Sequence, residues 1–226
     1  VKGDRVTAEQ IAVLESLGLL EGNSFDYPLY IGTAITLALI LASAYLYAYL
    51  FAKPMLSMGP SALVLLIASV LTVLLCLLMG EYLNINAMPV ALGAMLVVNL
   101  LGARPAYVTN MALTLIITLL TAKGTGLVTS QTMSVLLTCS LGGLVAIWMM
   151  RKNTTRVMVV VSGLVVGAVN FGVLVCVRAL TSSDMSGVWT DMAYAIGGAV
   201  VSAVLCVGLQ PILETAFNLV TPSKLI

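Results

Sequence analysis

Five polar residues stand in or beside otherwise apolar stretches: Asn99, Asn110, Gln131, Asn170 and Arg178. Away from water, an amide or guanidinium group must find a partner or lose free energy. Asn99, Asn110 and Asn170 are therefore candidate ligand-binding residues around a polar cavity for a small molecule. The favoured reading of the same side chains is as interhelical hydrogen-bond partners, each bond worth about 0.6 kcal/mol on average. Arg178 is placed to snorkel toward a membrane surface.

Other chemistry is excluded by residue type. The chain has no histidine. That rules out a His-ligated metal centre, a Ser-His-Asp triad and a histidine general base within it. Glu81 and Glu214 fall at opposite boundaries of the apolar region, and no carboxylate pair suits acid–base work. Lys123-Gly124-Thr125-Gly126 lacks the spacing of a phosphate loop and follows a helix rather than a strand. Cys76, Cys139, Cys176 and Cys206 sit in apolar runs without a CxxC pair, and read as small buried hydrophobes. No catalytic residue, metal ligand or cofactor is expected in this chain.

Composition identifies the solvent. Of 226 residues, 61% are hydrophobic and 8% charged, against about 25% charged in a soluble domain. A lipid bilayer is the expected partner. The net charge of +1 provides no basic stripe for nucleic acid.

Seven apolar runs lie at roughly 28–52, 60–80, 86–102, 105–122, 129–150, 156–179 and 190–210, each near the ~20 residues a spanning helix needs. The fold class is an all-α bundle of seven transmembrane helices. The third and fourth runs are short, begin near Pro89 and Pro105, and are separated by Gly102-Ala103-Arg104 alone. Two full crossings are expected; the alternative is a re-entrant pair, tolerated if buried in protein. With residues 1–26 outside, inner loops hold Lys53, Arg104, Arg151, Lys152, Arg156 and Lys224. Outer loops hold Lys123 and Arg178 with the acids Glu81, Asp184 and Asp191. That bias follows the positive-inside rule and places the C-terminus in the cytoplasm. Tyr27, Tyr30, Trp148 and Trp189 stand where aromatic belts form.

Three segments follow: 1–26, the end of an extracellular domain; 27–210, the seven-helix membrane domain; and 211–226, a cytoplasmic juxtamembrane helix. In the first, Thr7-Ala8-Glu9-Gln10 forms a capping box for a short leader helix carrying Ile11, Leu14 and Leu17, ended near Gly18. In the last, Gln210-Pro211 breaks the apolar run. Glu214, Thr215 and Asn218 then share one helical face, and Ile212, Leu213, Ala216, Phe217 and Val220 the other. Pro211, Glu214 and Phe217 are the candidate exit through which a signal leaves the membrane. The ending Lys224-Leu225-Ile226 reads as cut rather than finished. Gly163 and Gly167, with Gly142-Gly143 and Gly197-Gly198, are small-residue patches for close helix packing; a homodimer face is the secondary reading.

Three stretches resemble one family. Lys2 to Thr7 with Leu14 to Leu20 resembles the tail of the extracellular domain in the seven-transmembrane HD-hydrolase family. Met88-Pro89-Val90-Ala91-Leu92-Gly93-Ala94-Met95-Leu96 is similar to its central membrane motif. Pro211 to Glu214, Phe217 and Thr221 to Ile226 are similar to its exit from the membrane. The resemblance is to the membrane portion of PgpH-type cyclic di-AMP phosphodiesterases. It implies a parent protein with an extracellular domain, seven spans, and a cytoplasmic HD domain that hydrolyses cyclic di-AMP at a His/Asp-bound divalent metal pair. This chain carries no His-Asp dipeptide, so none of those catalytic residues is carried over.

The expected function is that of a sensory and anchoring module in the bacterial cell membrane, passing an extracellular or intramembrane signal to a catalytic domain. The alternative is a small-molecule or lipid transporter, supported by the intramembrane asparagines and the broken third and fourth runs. A plain tether that dimerises the enzyme is the third reading.

Overall fold

The computed structural model describes residues 27–51, 59–122, 129–152, 155–181 and 187–217. The leader helix, residues 218–226, and Lys53, Lys123, Asp184 and Lys224 lie outside that set. The chain divides into two compact units, 1–34 and 35–226. In the first, residues 27–34 are described and are the start of a helix.

The described residues form seven α-helices: α1 Tyr27–Phe51, α2 Gly59–Tyr82, α3 Leu92–Leu101, α4 Ala103–Thr121, α5 Ser130–Met150, α6 Arg156–Leu180 and α7 Val188–Ala216. A 3₁₀ turn, Ile85–Ala87, precedes α3. There is no strand among the described residues. Five helices, α2 and α4 to α7, are long and apolar enough to cross a membrane. Leu66 and Val70 on α2, and Val160 and Leu164 on α6, stay exposed in the protein, as expected of faces turned toward hydrocarbon.

The third apolar run is not one long helix. Pro89 lacks an N–H and forces Met88 into an extended conformation (φ −58°, ψ 131°). Asn84 caps the preceding 3₁₀ turn by accepting from the Asn86 N–H at 2.9 Å. At the other end Gly102 takes φ 94° and its N–H reaches the Val98 carbonyl, a backbone geometry that favours glycine. Between these stops α3 has 10 residues and rises about 15 Å, half the thickness of a hydrocarbon core.

Nine residues of α3 are buried, Leu92 through Leu100. It packs against α2, α4, α5 and α7 and forms the centre of the main apolar cluster with Val64, Ile147, Val166 and Ala203. A helix apolar all round is what such a site requires. The α6–α7 seam is built from small residues: a Cβ on Gly163 would lie 2.6 Å from the Ala203 Cβ, and one on Gly167 would touch Ile196 and Ala199. The GxxxG spacing thus serves packing within the chain.

Three expectations need correction. Cys76, Cys139 and Cys206 are buried, but Cys176 faces outward, because the buried stripe of α6 runs through Val173, Leu174 and Val177 instead. Arg178 does not simply snorkel: its Nη2 pairs with Asp191 Oδ2, joining the end of α6 to the start of α7. The helix is not broken at Gln210-Pro211. α7 runs through Pro211 to Ala216, 29 residues in all, or about 43 Å. The proline ring removes the N–H that would reach Val207, but it sits on the exposed side of the helix.

Gly198 lets α7 rest directly on the turn before α3. A Cβ there would lie 2.6 Å from the Ala87 carbonyl oxygen and 2.9 Å from that of Met88, whereas a Cβ on Gly197 meets nothing within 4 Å. Gly198→Ala is therefore expected to destabilise the protein by about 1–3 kcal/mol. Gly197→Ala should be neutral or slightly stabilising. Thermal unfolding of the two variants in detergent checks the difference.

Candidate functional site

Hydroxyl groups in this interior mostly satisfy themselves. Thr72, Thr109 and Ser202 donate to carbonyls one turn back, at 2.7, 2.9 and 2.8 Å. Two of the buried asparagine amides, Asn99 and Asn110, reach another helix instead. The structure places the three candidate asparagines in two regions.

Asn110 on α4 and Asn170 on α6 flank α5 at neighbouring glycines. Asn110 lies against Gly143, where a Cβ would collide with its amide, and a Cβ on Gly142 would lie 2.9 Å from Asn170 Oδ1. Asn110 Nδ2 donates to the Ser140 carbonyl at 3.3 Å, which is the interhelical packing role. Asn170 differs. It is 4% exposed, and its Oδ1 has no hydrogen-bond partner among the described residues. It lines a small cavity of about 10 Å³ with Asn86, Met88, Thr138 and Ala195, near the minimum that holds one water.

Asn99 stands apart on α3, 1% exposed. Its Nδ2 donates to Gln210 Oε1 at 3.2 Å and lies 3.5 Å from the Cys206 sulfur. Gln210 Nε2 in turn donates to Glu214 Oε1 at 2.9 Å. These contacts make a polar string from the central helix to the last turns of α7. The Asn99 Oδ1 has no partner among the described residues.

The string overturns the amphipathic assignment for the end of α7. Glu214 faces inward with Leu213, at 9% exposure, while Ile212 is 62% exposed. The reason is the i,i+4 pairing of Gln210 with Glu214, which gives the carboxylate an internal partner. Phe217 packs against the main apolar cluster, and Pro211 is exposed. Gln131 is exposed in the first turn of α5 and belongs to neither region. Sequence reading missed Gln210 as a site residue. Its signal was the four-residue spacing to Glu214, which reads as one face once the helix continues through Pro211.

The two regions are joined by continuous structure. Residues 85–90 line the cavity, contact α7 at Gly198, and lead directly into α3 and Asn99. On α7, Ala195 lines the cavity and Gln210 receives Asn99, with a rise between them of about 22 Å.

The model of a known family, described as 7TM receptor with intracellular HD hydrolase, matches residues 27–221. The chain belongs to this family. It is a multi-pass protein of the bacterial cell membrane. It is 25% identical to the cyclic-di-AMP phosphodiesterase PgpH of Bacillus subtilis (strain 168) over an alignment that covers 100% of this chain and 32% of that protein. The chain thus spans about a third of the length of this relative. The matched family segment is the membrane part, not the catalytic HD part. No solved structure matches the chain.

A membrane hydrogen bond of ordinary strength contributes about 0.6 kcal/mol. In a double-mutant cycle, Asn99→Leu and Gln210→Leu are expected to be non-additive by at least that amount. Asn110→Leu combined with Gln210→Leu should add simply. Unfolding of the detergent-solubilised variants measures both couplings.

Proposed function

We propose that this chain is the sensory and anchoring domain of a membrane-bound HD-domain phosphodiesterase that degrades cyclic di-AMP. The membrane domain holds the protein with residues 1–26 outside and the end of α7 toward the cytoplasm. A signal received outside or within the membrane changes the seating of residues 85–90 on α7. The change reaches the catalytic domain through α3 and the last turns of α7.

One observation carries this reading: the polar string Asn99–Gln210–Glu214 ties the most buried helix to the helix that leaves the bundle. A helix of 29 residues exceeds the ~30 Å hydrocarbon core and extends beyond it. Motion of its buried part is thereby delivered outside the membrane. The family match and the likeness to PgpH support the nature of the output. The seating of residues 85–90 between Asn170 and α7 is the proposed point where the signal acts, and Pro211, Glu214 and Phe217 the exit. Any ligand acts there by its differential affinity for two arrangements of the bundle.

The test is cyclic di-AMP hydrolysis by the full-length protein in membranes, compared with its catalytic domain alone. The membrane-embedded enzyme is expected to differ in rate from the isolated domain. Gln210→Leu and Asn99→Leu should shift its rate about fivefold or more, the effect of roughly 1 kcal/mol of coupling. Equal rates for both forms and both variants under every condition would show the spans to be a tether.

A further inference from the structure

Between Glu81 and Asp184 the chain has no aspartate or glutamate, yet it carries Arg104, Lys123, Arg151, Lys152, Arg156 and Arg178. The fold gathers four of these cations at one end of the bundle. Gly163 meets Ala203 and Gly167 meets Ala199, so α6 and α7 run antiparallel. Asn110 meets Gly143, and Leu115 and Thr118 share a wall with Met133 and Leu136, so α4 and α5 do the same. Arg104, Arg151, Lys152 and Arg156 therefore lie at the end where α7 finishes with Glu214.

Two features there favour an anion. Arg104 and Arg156 stand in the first turns of α4 and α6, and neither turn contains an acid. A helix N-terminus is already positive, so a cation there is unfavourable until negative charge meets it. In addition, all four cations are exposed and none forms an ion pair among the described residues. Glu214 is turned inward and accepts from Gln210. At the opposite end the protein supplies its own pairing, Arg178 with Asp191.

The neighbouring side chains show where that anion sits. Trp148, near the end of α5, is 61% exposed. The Arg151 guanidinium carbon lies 5.9 Å from the centre of its ring, within cation–π reach. Val157 and Val160 at the start of α6 are exposed as well. An exposed indole at a helix end settles where acyl chains give way to headgroups. It thereby holds the guanidinium at the depth of lipid phosphates, which arginine meets with paired N–H donors.

We propose that the facing ends of α5 and α6 bind the phosphate of an anionic phospholipid. Arg151, Lys152 and Arg156 contact the phosphate, and Trp148 lies against the glycerol and upper acyl chains of the same lipid. The site stands on the charge and packing at this end of the bundle and does not rest on the signalling reading.

Trp148 and Trp189 are the two tryptophans of the chain, and they lie at opposite ends of the bundle, so each reports on its own end. The protein is placed in phosphatidylcholine vesicles containing a small fraction of phosphatidylglycerol or phosphatidylcholine spin-labelled at the top of one acyl chain. In the Trp189→Phe variant, phosphatidylglycerol is expected to quench Trp148 several-fold more than phosphatidylcholine does, and to saturate as its fraction rises. In the Trp148→Phe variant the two lipids should quench Trp189 alike. Changing Arg151, Lys152 or Arg156 singly to Gln should weaken the apparent affinity about fivefold, the equivalent of roughly 1 kcal/mol per charge. Changing all three should abolish the preference while the unfolding temperature stays near that of the parent. Equal quenching of Trp148 by the two lipids would overturn the proposal. So would a preference that rises without saturating, the mark of diffuse surface charge, or one that the triple variant retains. Millimolar inorganic phosphate should not compete; if it removes the preference, the site is one for soluble phosphate and the proposal fails.

Discussion

In hydrocarbon, a polar group without a partner inside the protein has none at all. Everything distinctive about this bundle follows from how its few buried amides meet that demand. Most buried hydroxyl side chains turn back onto their own helices. Asn99 cannot, and it binds the penultimate turns of α7 through Gln210. Gln210 in turn holds Glu214, so that a carboxylate faces the protein interior rather than the surroundings. The most buried helix and the departing helix are tied by the one kind of contact that lipid cannot replace.

The glycines serve the same end. Small residues at α6 and α7 permit close backbone approach, which is the main source of association between helices in a solvent as apolar as themselves. At Gly142 and Gly143 the space left by absent side chains is taken by Asn170 and Asn110. At Gly198 it is taken by the backbone of the turn before α3. The loop that lines the Asn170 cavity therefore has no slack against α7.

The length of α7 carries the chain from this contact to the far end of the bundle. A proline within a helix ordinarily marks an end or a kink. Here it lies on the exposed side and the helix continues past it. The family of 7TM receptors with intracellular HD hydrolases needs a connection from bundle to enzyme, and a continuous helix anchored internally at Gln210 and Glu214 can provide one.

Much of this was legible in the chain itself. Runs of about 20 apolar residues imply helices in lipid, because backbone groups there must bond within their own segment. Pro89 and Gly102 marked the third run as short, but not that its helix starts only at Leu92 and has 10 residues. The polar residues inside the apolar runs were visible too, but not their partners. Whether Asn110 meets Ser140 or Asn99 meets Gln210 depends on which helices lie side by side, and periodicity within one segment carries no such information. The inward turn of Glu214 was hidden for the same reason. Its face is polar by sequence, and only the neighbouring Gln210, held by Asn99 of α3, makes the interior the better place for it.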